Sequence, residues 1–323
     1  MMNKQRLTGI IPATILPLEA TGEIDDSELR RLIRFLEGVD GVTSLVCNGH
    51  AGHANLLSRE ERRRVIEIHV DEVKSKVPII AGIHAEATWQ VIELMEDARE
   101  SGASAVLILP PNTLRGFTDL GPEIPCQFFS TVAQAVDIPI VVYQNPKSRG
   151  YSYTSETLVK LTEIQNIVAM KMSTGDIQKY ERDISALKNA KRRVSILASN
   201  DAFLFASFSH GADGALVGLG NLVPHWLVEL FQAIEHGEIE KAREINSRIF
   251  PLVECIYKGA GSNTYGVMKE ALFMLGILTK PSFSRSPLPP VCSAIERAAL
   301  KNALMQSGLL SFYQSSQYIP DAK

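Results

Sequence analysis

The chain has 323 residues, 45% of them hydrophobic and 21% charged, with a formal net charge of -3. That apolar content supports one large core, and a near-neutral balance without a basic stripe sets nucleic acid aside as a partner. No stretch approaches the roughly 18 apolar residues of a membrane span, and Met1 to Arg6 is not followed by a signal-peptide core, so a cytoplasmic protein with small-molecule ligands is expected, not a membrane one. Cys47, Cys126, Cys255 and Cys292 lack the short paired spacing of a disulfide framework or a cysteine zinc site.

In chain order, short apolar runs alternate with amphipathic segments. The runs are Gly9 to Thr14, Val42 to Cys47, Pro78 to Gly82, Ala105 to Leu109, Ile138 to Tyr143, Ile167 to Lys171, Val194 to Ala198 and Gly214 to Val217. They are continuous rather than alternating, as strands buried on both faces require. Between them, apolar residues recur at helical spacing, as in Leu29, Leu32, Ile33 and Leu36, and Ser58 with Glu61 forms a capping-box pattern. Eight such pairs over about 230 residues predict an α/β fold, a (β/α)8 TIM barrel. An open doubly wound sheet fits less well, because Leu16-Pro17-Leu18-Glu19 replaces the glycine-rich phosphate turn after the first strand.

Beyond Glu235 the alternation stops. Residues 1–235 are expected to form the barrel, and 236–310 a helical extension with helices over Glu238 to Tyr257, Thr264 to Leu275 and Pro289 to Gln306. Residues 311–323, polar and aperiodic, are expected to be a flexible tail. Cys47 is expected in the core, His210 and His236 at helix ends and His225 on the surface.

Barrel enzymes keep their chemistry at the C-terminal ends of their strands. Lys171 ends the run Ile167 to Met170, where partial desolvation would lower its pKa and release a neutral amine able to attack a ketone. Tyr143 ends the preceding strand, so a phenol able to shuttle protons stands beside that amine. After the second strand, Asn48-Gly49-His50-Ala51-Gly52-His53 offers a turn whose amides suit a carboxylate, or simply a tight turn. His50, His53 and His84 together would also permit a divalent metal on the rim, although no metal motif accompanies them.

The 28-residue interval from Tyr143 to Lys171, the frame Tyr143-x-x-Pro146 ending at Gly150, the turn Gly49-x-x-Gly52, Gly211-Ala212-Asp213-Gly214, Asn221 and Lys269-x-Ala271-Leu272-x-x-x-Gly276 resemble the dihydrodipicolinate synthase and N-acetylneuraminate lyase superfamily. The resemblance runs from about Gly9 to Pro290. It implies a barrel with a C-terminal helical extension, a homo-oligomer (dimer or tetramer), and Schiff-base chemistry on pyruvate or another 2-oxo acid without metal or organic cofactor. By that similarity Lys171 is the nucleophile and Tyr143 the proton shuttle. Gly49, Ala51, Gly52, Asn112, Ser173, Asn200, Leu216 and Gly218 become the substrate-binding positions.

Several residues depart from the superfamily's pattern. His50-Ala51 stands where two hydroxyl residues are usual, so His50 is expected to take over the acid–base relay. Asn112 lies where the synthases place a tyrosine, and Ser148 where they place an arginine for a second carboxylate, which argues against dihydrodipicolinate synthase activity itself. Gly218 replaces a lyase hydroxyl, and Pro111, Met172, Val217 and Leu219 suggest a substrate tail less hydroxylated than a sialic acid. Three further readings stay open: the true synthase, a metal-dependent aldolase using His50, His53 and His84, and a non-catalytic 2-oxo acid binding protein.

Overall fold

The computed structural model describes residues 6–114, 121–146, 151–258 and 263–315. Eight parallel strands follow one another around a barrel: β1 (Gly9–Pro12), β2 (Leu45–Cys47), β3 (Ile79–Ile83), β4 (Ala105–Ile108), β5 (Ile140–Gln144), β6 (Ile167–Met172), β7 (Ser195–Ala198) and β8 (Gly214–Val217). Their hydrogen-bonded order is β1-β8-β7-β6-β5-β4-β3-β2. Single parallel bridges, Ile10 to Val42 and Ala13 to Val46, draw β2 against β1 and complete the circle. Those bridges also explain why Val42 and Ala13, expected within strands, lie just outside them.

Helices α1 (Asp26–Glu37), α2 (Arg59–Val73), α3 (Thr88–Glu100), α4 (Glu123–Ala135), α5 (Ser155–Leu161), α6 (Ile177–Lys188), α7 (Leu204–Ser209) and α8 (Pro224–Glu235) each follow a strand. The Asp25 side chain accepts from the Glu28 N–H at the start of α1, whose Leu29, Leu32, Ile33 and Leu36 are buried. Ser58 and Glu61 form the expected capping box on α2. Pro224 opens α8, where its missing N–H leaves no helical bond unmade. Cys47 is buried, and among the described residues no helix is long and apolar enough to cross a membrane.

The extension comprises α9 (Ile239–Val253), α10 (Thr264–Met274), α11 (Ala294–Gln306) and α12 (Leu309–Ser315). A π-helical turn, Glu254–Lys258, continues α9. α11 begins at Ala294 rather than Pro289, because Ser293 supplies its cap in a box with Glu296. α12 occupies part of the segment expected as a flexible tail: Tyr313 is 2% exposed and its hydroxyl donates to the Leu222 carbonyl at 2.8 Å.

His210 and His236 cap α7 and α8 as expected. His225 is not a surface residue. It is half-buried among Phe35, Phe312 and Tyr313, and burial lowers its pKa to about 4.

Candidate active site

β5 and β6 pair in a register that sets Tyr143 opposite Lys171, so both side chains leave the same face of the sheet. The Lys171 Nζ lies 4.6 Å from the centroid of the Tyr143 ring. Lys171 is 8% exposed. Burial pulls its ammonium down from 10.5 to about 8, against the opposing pull of Asp201. At pH 7 about one amine in ten is then neutral, against fewer than about one in a thousand for an ordinary lysine. Asp201 follows β7. Burial raises its pKa, while the Leu219 N–H at 3.0 Å, the Tyr257 hydroxyl and the Lys171 charge favour its ionised form.

The turn after β2 is shaped by its flanks more than by its glycines. Asn48 and His53 hold the left-handed conformation, at φ 53° and 52°. Gly82 of β3 allows the close approach this turn needs, since a Cβ there would stand 2.2 Å from the Asn48 carbonyl oxygen. The turn carries His50 to the barrel mouth, where its ring meets that of Tyr143 edge-on, with centroids 5.7 Å apart. Residues 147–150, including Ser148 and Gly150, lie outside the described residues.

Beside this group opens a cavity of about 680 Å³. Gly49, His50, Asn112 and Asn145 line its barrel side; Tyr257, Asn263, Tyr265 and Leu288 of the extension line the other. The remaining expected binding positions are not on its wall. Ala51 and Leu216 are buried, and Gly52 packs close to the Asn48 backbone. The Ser173 N–H donates to the Gln144 carbonyl. Asn200 caps the turn after β7, accepting from the Ala202 N–H and donating to the Thr174 carbonyl. Gly218 stands behind the wall, its Cβ position 3.3 Å from the Tyr257 hydroxyl. Met172, Val217 and Leu219, expected around the substrate tail, are also buried off the wall.

The metal reading fails on geometry. His84 Nδ1 lies 2.6 Å from Asn55 Oδ1, and Asn112 Nδ2 lies 3.2 Å from His84 Nε2. These partners favour a neutral ring that donates through Nδ1 and accepts through Nε2. Burial lowers the His84 pKa, in keeping with that neutral form. Glu86 accepts from Asn112 Nδ2 and from the Thr113 N–H, both at 2.8 Å, so the network pins the turn after β4 and leaves His84 no lone pair for a metal. Among the described residues no group of three histidine, cysteine or acidic side chains converges to hold an ion.

Residues 6–307 match the model of the dihydrodipicolinate synthetase family. This chain belongs to that family. It is 33% identical over 296 residues to a 4-hydroxy-tetrahydrodipicolinate synthase of Methanothrix thermoacetophila, covering 92% of this chain and 95% of the relative. The dihydrodipicolinate synthase structure from Aquifex aeolicus superposes with a TM-score of 0.82 at 30% identity, covering 94% of this chain and 99% of that one. A chloride-inhibited synthase from Acinetobacter baumannii, solved with pyruvate, superposes at 0.83 with 28% identity, covering 94% and 99%. As a member of the dihydrodipicolinate synthetase family the chain is a lyase, which sets aside the non-catalytic reading.

What this family member's sequence did not reveal is the far wall. Tyr257 and Tyr265 come from the extension and carry no motif; only their spacing near helix ends could have flagged them. Asp201 lies a few residues past the seventh apolar run, and only the fold gives it an electrostatic link to Lys171.

Proposed function

We propose that Lys171 forms a Schiff base with pyruvate or another 2-oxo acid, and that Tyr143 and His50 move the protons of the steps that follow. The observation that carries this reading is a buried, partly neutral amine over a strand-end phenol. The neutral Nζ attacks the C2 carbonyl, and loss of water from the carbinolamine leaves the imine. With a 4-hydroxy-2-oxo acid, removal of the C4 hydroxyl proton breaks the C3–C4 bond. An aldehyde departs and the electron pair enters the imine as an enamine. Protonation at C3 and hydrolysis then release pyruvate and restore the amine. Tyr143 is positioned next to the imine, and His50 stands between it and the cavity.

Borohydride with pyruvate should add one reduced pyruvyl mass at Lys171 and none to Lys171→Met. No adduct with any 2-oxo acid would sink the reading. The synthase reaction, favoured by the names of the relatives, is the second reading. Condensation of pyruvate with an aldehyde bearing a second carboxylate would establish it. A cytoplasmic homo-oligomer, dimer or tetramer, belongs to the same proposal, and light scattering measures its mass.

A further inference from the structure

We propose that Asp201 is a positioning residue of this reaction: it supplies the fixed negative charge that keeps a proton on the Lys171 nitrogen once the imine has formed, and the C-terminal extension holds it in place through Tyr257. This role rests on the Schiff-base reading, since Asp201 acts through the imine nitrogen and not on the substrate itself.

β6 and β7 pair so that Lys171 stands opposite Leu197 and Met172 opposite Ala198. The pairing continues past both strand ends, where the Ser199 N–H donates to the Met172 carbonyl at 3.0 Å and Asn200 Nδ2 donates to the Thr174 carbonyl at 2.9 Å. These bonds seat Asp201 at the barrel mouth beside the strand that carries Lys171. Its Oδ1 accepts from the Leu219 N–H at 3.0 Å, and the Tyr257 hydroxyl donates to the same carboxylate. Tyr257 belongs to the π-helical turn of the extension, and its hydroxyl lies 3.3 Å from the Cβ position of Gly218, the residue before Leu219. Barrel and extension thus grip the carboxylate from two sides.

Among the described residues Asp201 is the one charged side chain that acts on Lys171, and the action is mutual: the carboxylate favours the ammonium and the ammonium the carboxylate. The other polar groups near the amine are the Tyr143 phenol under Nζ and the His50 ring edge-on to that phenol, neither of them a carboxylate. The nitrogen has two parts to play. It attacks pyruvate as a neutral amine, but the imine it becomes is an electron sink only when protonated. Removal of a C3 proton then forms the C2–C3 double bond, and the C=N pair moves onto nitrogen to give the neutral enamine. Burial disfavours the protonated imine as it disfavours the ammonium, so without a counter-charge the imine rests neutral. Asp201 stabilises the protonated imine, and the transition state that still carries part of its charge, relative to that neutral form. The same charge slows the first step, because it holds the proton that the free amine must lose.

Pyruvate alone suffices as the probe, because it reports the two steps separately. Asp201→Asn keeps an acceptor for Leu219 and Tyr257 but removes the charge. Borohydride trapping across pH 6 to 9 should place its midpoint at least about half a pH unit below that of the wild type, so that trapping at pH 6.5 is about threefold faster. In heavy water, exchange of the pyruvate methyl protons for deuterium, followed by proton NMR, should be at least about tenfold slower. Asp201→Glu, which keeps the charge, should restore most of that exchange. A packing defect would slow both steps. Slowing of both, a midpoint that stays or moves up, or exchange that holds its rate in Asp201→Asn would overturn the role. If Asp201→Asn does not fold, infrared difference spectra of the wild-type imine with pyruvate labelled at C2 decide: its C=N band should shift in heavy water at pH 7, and a band that does not shift overturns the role. Absence of a borohydride adduct on the wild-type protein would instead count against the Schiff-base reading.

Discussion

Tyr143 and Lys171 are Cα partners across β5 and β6, and the Lys171 Nζ rests over the Tyr143 ring. One register therefore brings amine and phenol together, and the burial that comes with it lowers the lysine pKa to about 8.

Imine formation with pyruvate should follow that titration. Only the neutral amine attacks, so the rate below pH 8 falls about tenfold per pH unit and levels off above it. Borohydride trapping at fixed short times across pH 6 to 9 reads the profile. A flat profile would show that the amine is already neutral.

The same residue should cost stability. The unfolded chain holds this proton up to about 10.5, the folded one only up to about 8, so between those values the unfolded state binds more protons and stability rises with pH. Below pH 8 the full cost stands, roughly 3 kcal/mol. Lys171→Met should raise the melting temperature at pH 7 and lose that advantage above pH 10.5. Equal melting curves at both pH values would contradict this.

His50 meets the Tyr143 ring from the cavity side. His50→Ala should lower turnover by about 100-fold while pyruvate trapping at Lys171 changes by less than about threefold. Single-turnover trapping alongside steady-state rates separates the two steps. Equal loss in both would make His50 a binding or structural residue.

Gly82→Ala should be destabilising although the change is one methyl. Its Cβ would lie 2.2 Å from the Asn48 oxygen and 2.6 Å from its carbonyl carbon, a clash with backbone that no side-chain rotation relieves. The expected cost is about 1–3 kcal/mol, with a raised KM as the turn from Asn48 to His53 shifts. Chemical denaturation and substrate titration check both parts.

The alternation of buried runs with amphipathic segments, read from residues alone, determined the eightfold barrel and placed Tyr143 and Lys171 at neighbouring strand ends, because strand periodicity and burial are local properties of the chain. Local chemistry likewise determined the α2 cap. Only the tertiary structure decided the rest. His84 is tied up by Asn55 and Asn112, which lie 29 and 28 residues away in the chain, so the three-histidine rim does not form. His225 is enclosed by rings of α1 and α12. The cavity takes Tyr257 and Tyr265 from the extension, while Ala51 and Leu216 are buried and Asn200 is not part of its lining. Burial and hydrogen-bond partnership depend on which distant segments meet, and that is set by packing rather than by any spacing along the chain.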